Sequence, residues 1–284
     1  MLFIQPEYKY LLKGTDQVGE YEIQVRSQDE LFLILHTPVV GKVCKVFGTL
    51  GASAQKVLEL LLLCHTLKKE GALQVSLLSP YMGYSRQDHN EFMRSYGLKW
   101  TFDLLQAAGV DEVITIDIHE PLLSEILFTK SHLINISPFS LWEPYFYQYA
   151  QQGYSFVFPD KGAFQRYTPL HAFSCAYFEK KRTLENVEVV GMHGKMHQRV
   201  VIVDDILDSG KTLLQTCIAL QKLGVKESVV FVTHGVFSDI AWHQIFTLGV
   251  KFIYCTNSLP STLSLQHPCI KILSIRPMLE PYIL

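Results

Sequence analysis

Residues 200–203 read Val-Val-Ile-Val, an unbroken β-branched run that leads directly into Asp204 and Asp205. A strand without apolar–polar alternation must be covered on both faces, which points to a parallel sheet between helices. The same rhythm fills the chain. Apolar runs at 31–36, 75–79 and 112–118 alternate with helical stretches at 54–69 and 99–108. A second series places strands at 155–158, 172–178, 200–203, 228–232, 251–255 and 270–275, with helices at 212–223 and 240–246. The expected fold class is α/β, with mostly parallel sheets covered by helices.

With 284 residues, two domains of common size fit the chain. The stretch 133–145, which holds Pro138 and Pro144, reads as their connection. The expected organisation is a first domain over 1–137, a second over 138–266, and a segment 267–284 that returns to the first. A formal net charge of −2 gives no long-range pull toward nucleic acid or a membrane, so phosphate must be bound by local sites. The run 57–64 is too short to span a bilayer, and the start of the chain, with Pro6 and Glu7, is unlike a secretory signal. Six scattered cysteines without zinc or redox spacing read as thiols in a reducing compartment. A cytoplasmic protein is expected, without nucleic-acid or membrane partners.

Polar clusters stand where the strands end, the place where open parallel sheets bind ligands. After the 200–203 run come Asp204, Asp205, Asp208, Ser209, Gly210, Lys211 and Thr212, and then a helix. Free N–H groups at a helix start suit a phosphate, and the Ser209 and Thr212 hydroxyls add donors. Asp204 and Asp205 are placed to accept hydrogen bonds from a sugar diol. The string is not a P-loop, because the leading glycine of that motif would fall at Asp205. In the first half, Arg86 offers a planar fork for a polyphosphate and Gln87 a hydrogen bond to a nucleotide. His119, close to Asp117, has the chemistry to hold Mg²⁺ directly or through water.

Taken together, these strings resemble the ribose-phosphate diphosphokinase family, the synthetases of phosphoribosyl pyrophosphate. The 200–212 string is similar to the ribose-5-phosphate loop that this family shares with phosphoribosyltransferases. Residues 80–88 (Pro-Tyr-Met-Gly-Tyr-Ser-Arg-Gln-Asp) and 115–119 (Thr-Ile-Asp-Ile-His) resemble signatures of the diphosphokinases alone. The resemblance extends to Phe158-Pro159-Asp160-Lys161-Gly162-Ala163, to Phe178-Glu179-Lys180-Lys181-Arg182, and to Thr233-His234-Gly235.

The resemblance implies two similar domains of the type I phosphoribosyltransferase kind. It implies transfer of the diphosphoryl group of ATP to ribose 5-phosphate with Mg²⁺. Lys180 and Arg182 would be catalytic, and His119 and Asp160 would serve the metal. Arg86, Gln87, Asp88, Glu20 and Glu22 would hold ATP, while Asp204, Asp205 and residues 208–212 would hold ribose 5-phosphate. A homo-oligomer built from dimers is expected, because the family completes its nucleotide site across a subunit contact. Thr233 to Gly235 would serve packing. Near the start the family carries Asp-Gly-Glu, where this chain has Glu20-Tyr21-Glu22, with Val18 in place of an aromatic residue. That departure implies looser adenine recognition, with Tyr21 restoring stacking only from a shifted position. Two other readings stay open at this point: a phosphoribosyltransferase, and a catalytically silent regulatory relative that binds sugar phosphate or a partner subunit.

Overall fold

The computed structural model describes residues 1–12, 18–51, 53–128, 131–182 and 187–283; the side chains of residues 12, 180–182 and 187–189 lie outside that description. The chain divides into two compact units, Met1–Ser137 with Arg276–Leu284, and Pro138–Ile275.

In the first unit, β1 (Leu2–Ile4) is followed by a hairpin of β2 (Tyr21–Val25) and β3 (Leu31–Leu35). Then come β4 (Val43–Phe47), α1 (Ala54–Lys69), β5 (Gln74–Ser79), α2 (Gly97–Ala107), β6 (Glu112–Ile116), α3 (Pro121–Leu127) and β7 (His132–Ile136). The main sheet has the order β1-β4-β5-β6-β7 and every pairing in it is parallel. Helix α1 forms because Ser53 caps it, accepting a hydrogen bond from the Lys56 N–H, and because Val57, Leu60, Leu63, Cys64 and Leu67 share one face. That face packs with Val46, Val75 and Leu77 of the sheet into the unit's core.

In the second unit, α4 (Phe139–Gln151), β8 (Ser155–Phe158), α5 (Lys161–Arg166), β9 (Cys175–Arg182) and β10 (Val187–Gly194) come first. They are followed by β11 (Arg199–Leu207), α6 (Lys211–Lys222), β12 (Glu227–Gly235), β13 (Val250–Thr256) and β14 (Ile270–Leu273). The sheet order is β10-β9-β8-β11-β12-β13-β14, parallel except for the β9–β10 pair. The unbroken run of β11 is explained by two cores. Val200 and Ile202 pack with Cys217 and Leu220 of α6, while Val201 and Val203 pack with Trp142 and Phe146 of α4.

Several expectations need correction. The stretch 133–145 does hold the boundary between the units, at Ser137 and Pro138, but it is not irregular: it supplies most of β7 and of α4. Pro144 removes one helical N–H, but the Trp142 and Phe146 rings bury themselves against Phe231 and Phe156 and hold the helix in place. The strand expected at 31–36 forms, but as a hairpin partner of β2 outside the parallel sheet. The strand expected at 172–178 starts at Cys175, after a 3₁₀ turn at Thr168–Ala172, and the 240–246 helix is a 3₁₀ helix, Ala241–Leu248. Residues 267–275 stay with the second unit because β14 pairs in parallel with β13. The return to the first unit begins with α7 (Arg276–Ile283).

Candidate active site

The order β9-β8-β11 makes a topological switch point in the second unit: the chain leaves β8 for one neighbour and later comes back on the other side. Parallel sheets open a crevice at such a point, beyond the carboxyl ends of the strands. β8 pairs with β11 only as far as Ile202, so Asp204 and Asp205 of β11 extend past its end. Asp160 follows β8 and caps α5 by accepting a 2.9 Å hydrogen bond from the Ala163 N–H. Both expected acid groups therefore flank one crevice. β9 also runs past β8, since Tyr177 pairs with Phe158 and Lys180 lies beyond it. The backbone of Lys180 and Arg182 thus reaches the same sheet end, but their side chains are outside the described residues.

Past β11, Gly210 takes φ +85 and starts α6 without a side-chain cap. A Cβ there would sit 2.8 Å from the Trp242 Cα and 2.9 Å from its backbone nitrogen. Left-handed backbone and close approach together demand glycine. Lys211 and Thr212 are exposed at the helix start, while Asp208 and Ser209 are half-buried. The uncapped first turn is a donor array suited to phosphate.

The paired acids are not equivalent. Arg166, at the end of α5, places Nη1 2.9 Å from Asp205 Oδ1, with both side chains buried. The contact is a charge pair without hydrogen-bond alignment. Asp205 thus has a buried cationic partner, while Asp204, half-buried, accepts a 3.1 Å hydrogen bond from the Asp205 N–H through Oδ1. Burial pushes the Asp204 carboxyl well above the usual carboxylate range; the Asp205 and Asp160 carboxylates add to this and Arg166 opposes it.

In the first unit, the strings after β5 and β6 also belong to adjacent strands. Arg86 and Gln87 are exposed, and Ser95 donates a 2.9 Å hydrogen bond to Gln87 Oε1, which holds the carboxamide. After β6 the chain bends sharply at buried Asp117, with φ 47. β7 fixes the bend: Asp117 N–H donates to the Ile136 carbonyl and Ile118 N–H to Asn135 Oδ1, both at 3.0 Å. The bend presents His119 and Glu120. One ligand atom each from Asp88, His119 and Glu120 lies within 4.8 Å of the others. Asp88, expected with the nucleotide, therefore stands with His119. Two carboxylates and an imidazole are a donor set that fits Mg²⁺ or Mn²⁺. Asp160, expected to share the metal, is in the other unit.

Glu20 and Glu22 are exposed on or beside β2, while Tyr21 faces inward. The Tyr21 ring packs on Phe3 and its hydroxyl donates to the Ile4 carbonyl at 3.1 Å. Tyr21 thus packs, half-buried, against the first unit's core. Val18 is exposed. His234 is buried and bonded to Ser258 at 2.8 Å, and Thr233 is buried beside it, which is the packing role expected. Glu120, Arg166, Asn135 and Trp242 escaped the sequence reading. Only Glu120 had a visible signal, its place directly after His119.

Residues 13–109 match the N-terminal domain of ribose phosphate pyrophosphokinase, and residues 172–283 the phosphoribosyl synthetase-associated domain. A ribose-phosphate pyrophosphokinase of Fusobacterium nucleatum is 30% identical over 272 residues, covering 93% of this chain and 85% of that protein. One from Campylobacter jejuni is 28% identical, covering 97% of this chain and 89% of its own. The crystal structure of phosphoribosylpyrophosphate synthetase from Mycobacterium smegmatis has a TM-score of 0.83 and 24% identity, covering 100% of this chain and 97% of that one. At that identity the structural likeness speaks for the fold.

Proposed function

This chain belongs to the ribose-phosphate pyrophosphokinase family, and from that premise we propose that it transfers the diphosphoryl group of ATP to the anomeric hydroxyl of ribose 5-phosphate, releasing AMP. The observation that carries the reading is the pair of sites at strand ends. A phosphate-type loop with its forced glycine stands at the second unit's switch point, and the Arg86 and His119 strings stand at adjacent strand ends of the first. A phosphoribosyltransferase would leave the first-unit strings without a task.

The first unit is assigned to the nucleotide and the second to the sugar phosphate. The first-turn N–H groups of α6, with Ser209, Lys211 and Thr212, hold the 5-phosphate, and Asp208 borders them. Asp204 accepts hydrogen bonds from the ribose hydroxyls, and Arg166 holds Asp205 beside it. Arg86 grips the polyphosphate, the carboxamide nitrogen of Gln87 donates to the nucleotide, and Glu20 and Glu22 reach the nucleotide of a neighbouring subunit. Little covalent chemistry falls to the protein in phosphoryl transfer; alignment and charge stabilisation dominate. Lys180 and Arg182 supply cationic donors where charge develops. Bound Mg²⁺ neutralises polyphosphate charge; His119 with Asp88 in the first unit and Asp160 in the second are the residues that would hold it.

A homo-oligomer built from dimers and a cytoplasmic location complete the proposal. The first is supported by the exposed acidic face of β2, with Val25 and Phe32 also exposed on the hairpin. The second is supported by the free thiols, of which Cys44, Cys64, Cys217 and Cys255 are buried. Among the described residues no helix is long and apolar enough to cross a membrane. Phosphorus NMR of the products tests the reaction. A diphosphate on the sugar together with AMP is expected; a single transferred phosphoryl group with ADP would overturn the reading.

A further inference from the structure

We propose that His171, Phe164, Tyr177, His193 and Glu179 are positioning residues: together they brace the antiparallel pair β9–β10, which carries Lys180 and Arg182, against the helix that Asp160 caps. The need for a brace follows from the sheet. Tyr177 is the last residue of β9 that pairs with β8, through Phe158. Among the described residues, β9 beyond Tyr177 pairs only with β10, the edge strand of the sheet. Residues 178–182 therefore overhang the sheet as half of a two-stranded ribbon, an arrangement that is marginally stable in water by itself. A register shift between Val189 and Gly191 adds local twist where Glu179 meets β10. Donors that stabilise developing charge act only when held in place, so a ribbon of this kind needs a fixed root.

A row of rings stands at that root. Tyr177 stacks on His193, its partner across the strand pair, with ring centroids 5.0 Å apart and planes 18° apart. Tyr177 also meets Phe164 of α5 at 4.9 Å, and Phe164 stacks on His171 at 3.9 Å. The row is tied to Asp160, since Phe164 N–H donates to the Asp160 carbonyl at 3.1 Å. His171 Nε2 closes its end by donating to the Phe164 carbonyl at 2.8 Å. At the other end His193 Nε2 donates to Glu179 Oε2 at 3.2 Å, and Glu179 directly precedes Lys180. Gly191 stands opposite Glu179 and leaves room for its carboxylate across β10; a Cβ there would lie 3.4 Å from Glu179 Oε2. His171, His193 and Glu179 are exposed, so the row contributes orientation more than hydrophobic burial.

The inference rests on the proposed reaction for the task of Lys180 and Arg182. The test is steady-state AMP formation by the full chain with ATP, ribose 5-phosphate and Mg²⁺, with a melting curve for each variant. Tyr177→Leu and His193→Ala should each lower kcat by about tenfold to a hundredfold, the cost of a small misplacement at a reacting centre, and leave the KM of both substrates unchanged. Tyr177→Phe, which keeps the ring, should turn over like the wild type. Phe164→Leu combined with Tyr177→Leu should lose little more than either alone, because both act through one row. Tyr147→Leu, which removes an exposed ring packed on Phe173 outside the row, should leave turnover unchanged. His193 is exposed, so His193→Ala keeps the test decisive should Tyr177→Leu fail to fold. A slow Lys180→Ala beside a folded His193→Ala with wild-type kcat, or with a raised KM alone, would overturn the brace and leave the reaction standing. Lys180→Ala at wild-type turnover would instead sink the catalytic assignment, and the task of the brace with it.

Discussion

Arg166 Nη1 lies 2.9 Å from Asp205 Oδ1, and the two side chains are only 8% and 4% exposed. This pair divides the labour of two acids that look alike in sequence. Asp205 anchors α5 against β11, while Asp204 is the acid proposed to meet the sugar.

Asp205→Asn should therefore be a stability variant. Removing one partner of a buried ion pair strands the other charge, at a cost of about 3–5 kcal/mol. Chemical denaturation should show that loss. A variant within about 0.5 kcal/mol of the wild type, the range of ordinary surface substitutions, would show that the pair does not hold α5.

Asp204→Asn should behave oppositely. Burial and the neighbouring carboxylates raise the Asp204 carboxyl above its ordinary 3.8, so the folded protein holds a proton that the unfolded chain has released. Between 3.8 and the raised value the native state binds more protons, and stability falls as pH rises through that window. The asparagine variant escapes this penalty. It should melt higher than the wild type at neutral pH, with the difference shrinking as pH is lowered toward 3.8. Calorimetry should also show weaker ribose 5-phosphate binding to the variant, and weaker binding to the wild type as falling pH protonates Asp204. Unaltered sugar-phosphate affinity in the folded variant would remove Asp204 from the site.

The parallel sheets were legible because β11, buried on both faces, admits no alternation. In the segment 133–145 the boundary between the units was legible, but its strand and helix were not. Pro138 and Pro144 carry the local signal of a connection, and only the packing of Trp142 and Phe146 against Phe156 and Phe231 overrides it. The phosphate-type loop could be read because its chemistry is local. The split between Asp204 and Asp205 could not, since it depends on Arg166 arriving from the end of α5. Glu120 after His119 looks like an ordinary first-turn acid of α3 until Asp88 is seen beside it.

Gly210→Ala should damage the sugar-phosphate site more than the fold. The left-handed φ of +85 costs a non-glycine residue roughly 1–2 kcal/mol. The added Cβ must also displace the Trp242 backbone or shift the loop. A modest loss of stability with a much larger loss of ribose 5-phosphate affinity is expected by calorimetry. Unchanged affinity would mean that the 208–212 turn does not hold the phosphate.

The deciding assay is AMP released from ATP, measured with and without ribose 5-phosphate in the presence of Mg²⁺. AMP formation should require the sugar phosphate and yield one phosphoribosyl pyrophosphate for each AMP. Release of ADP, or AMP formation indifferent to ribose 5-phosphate, would contradict it.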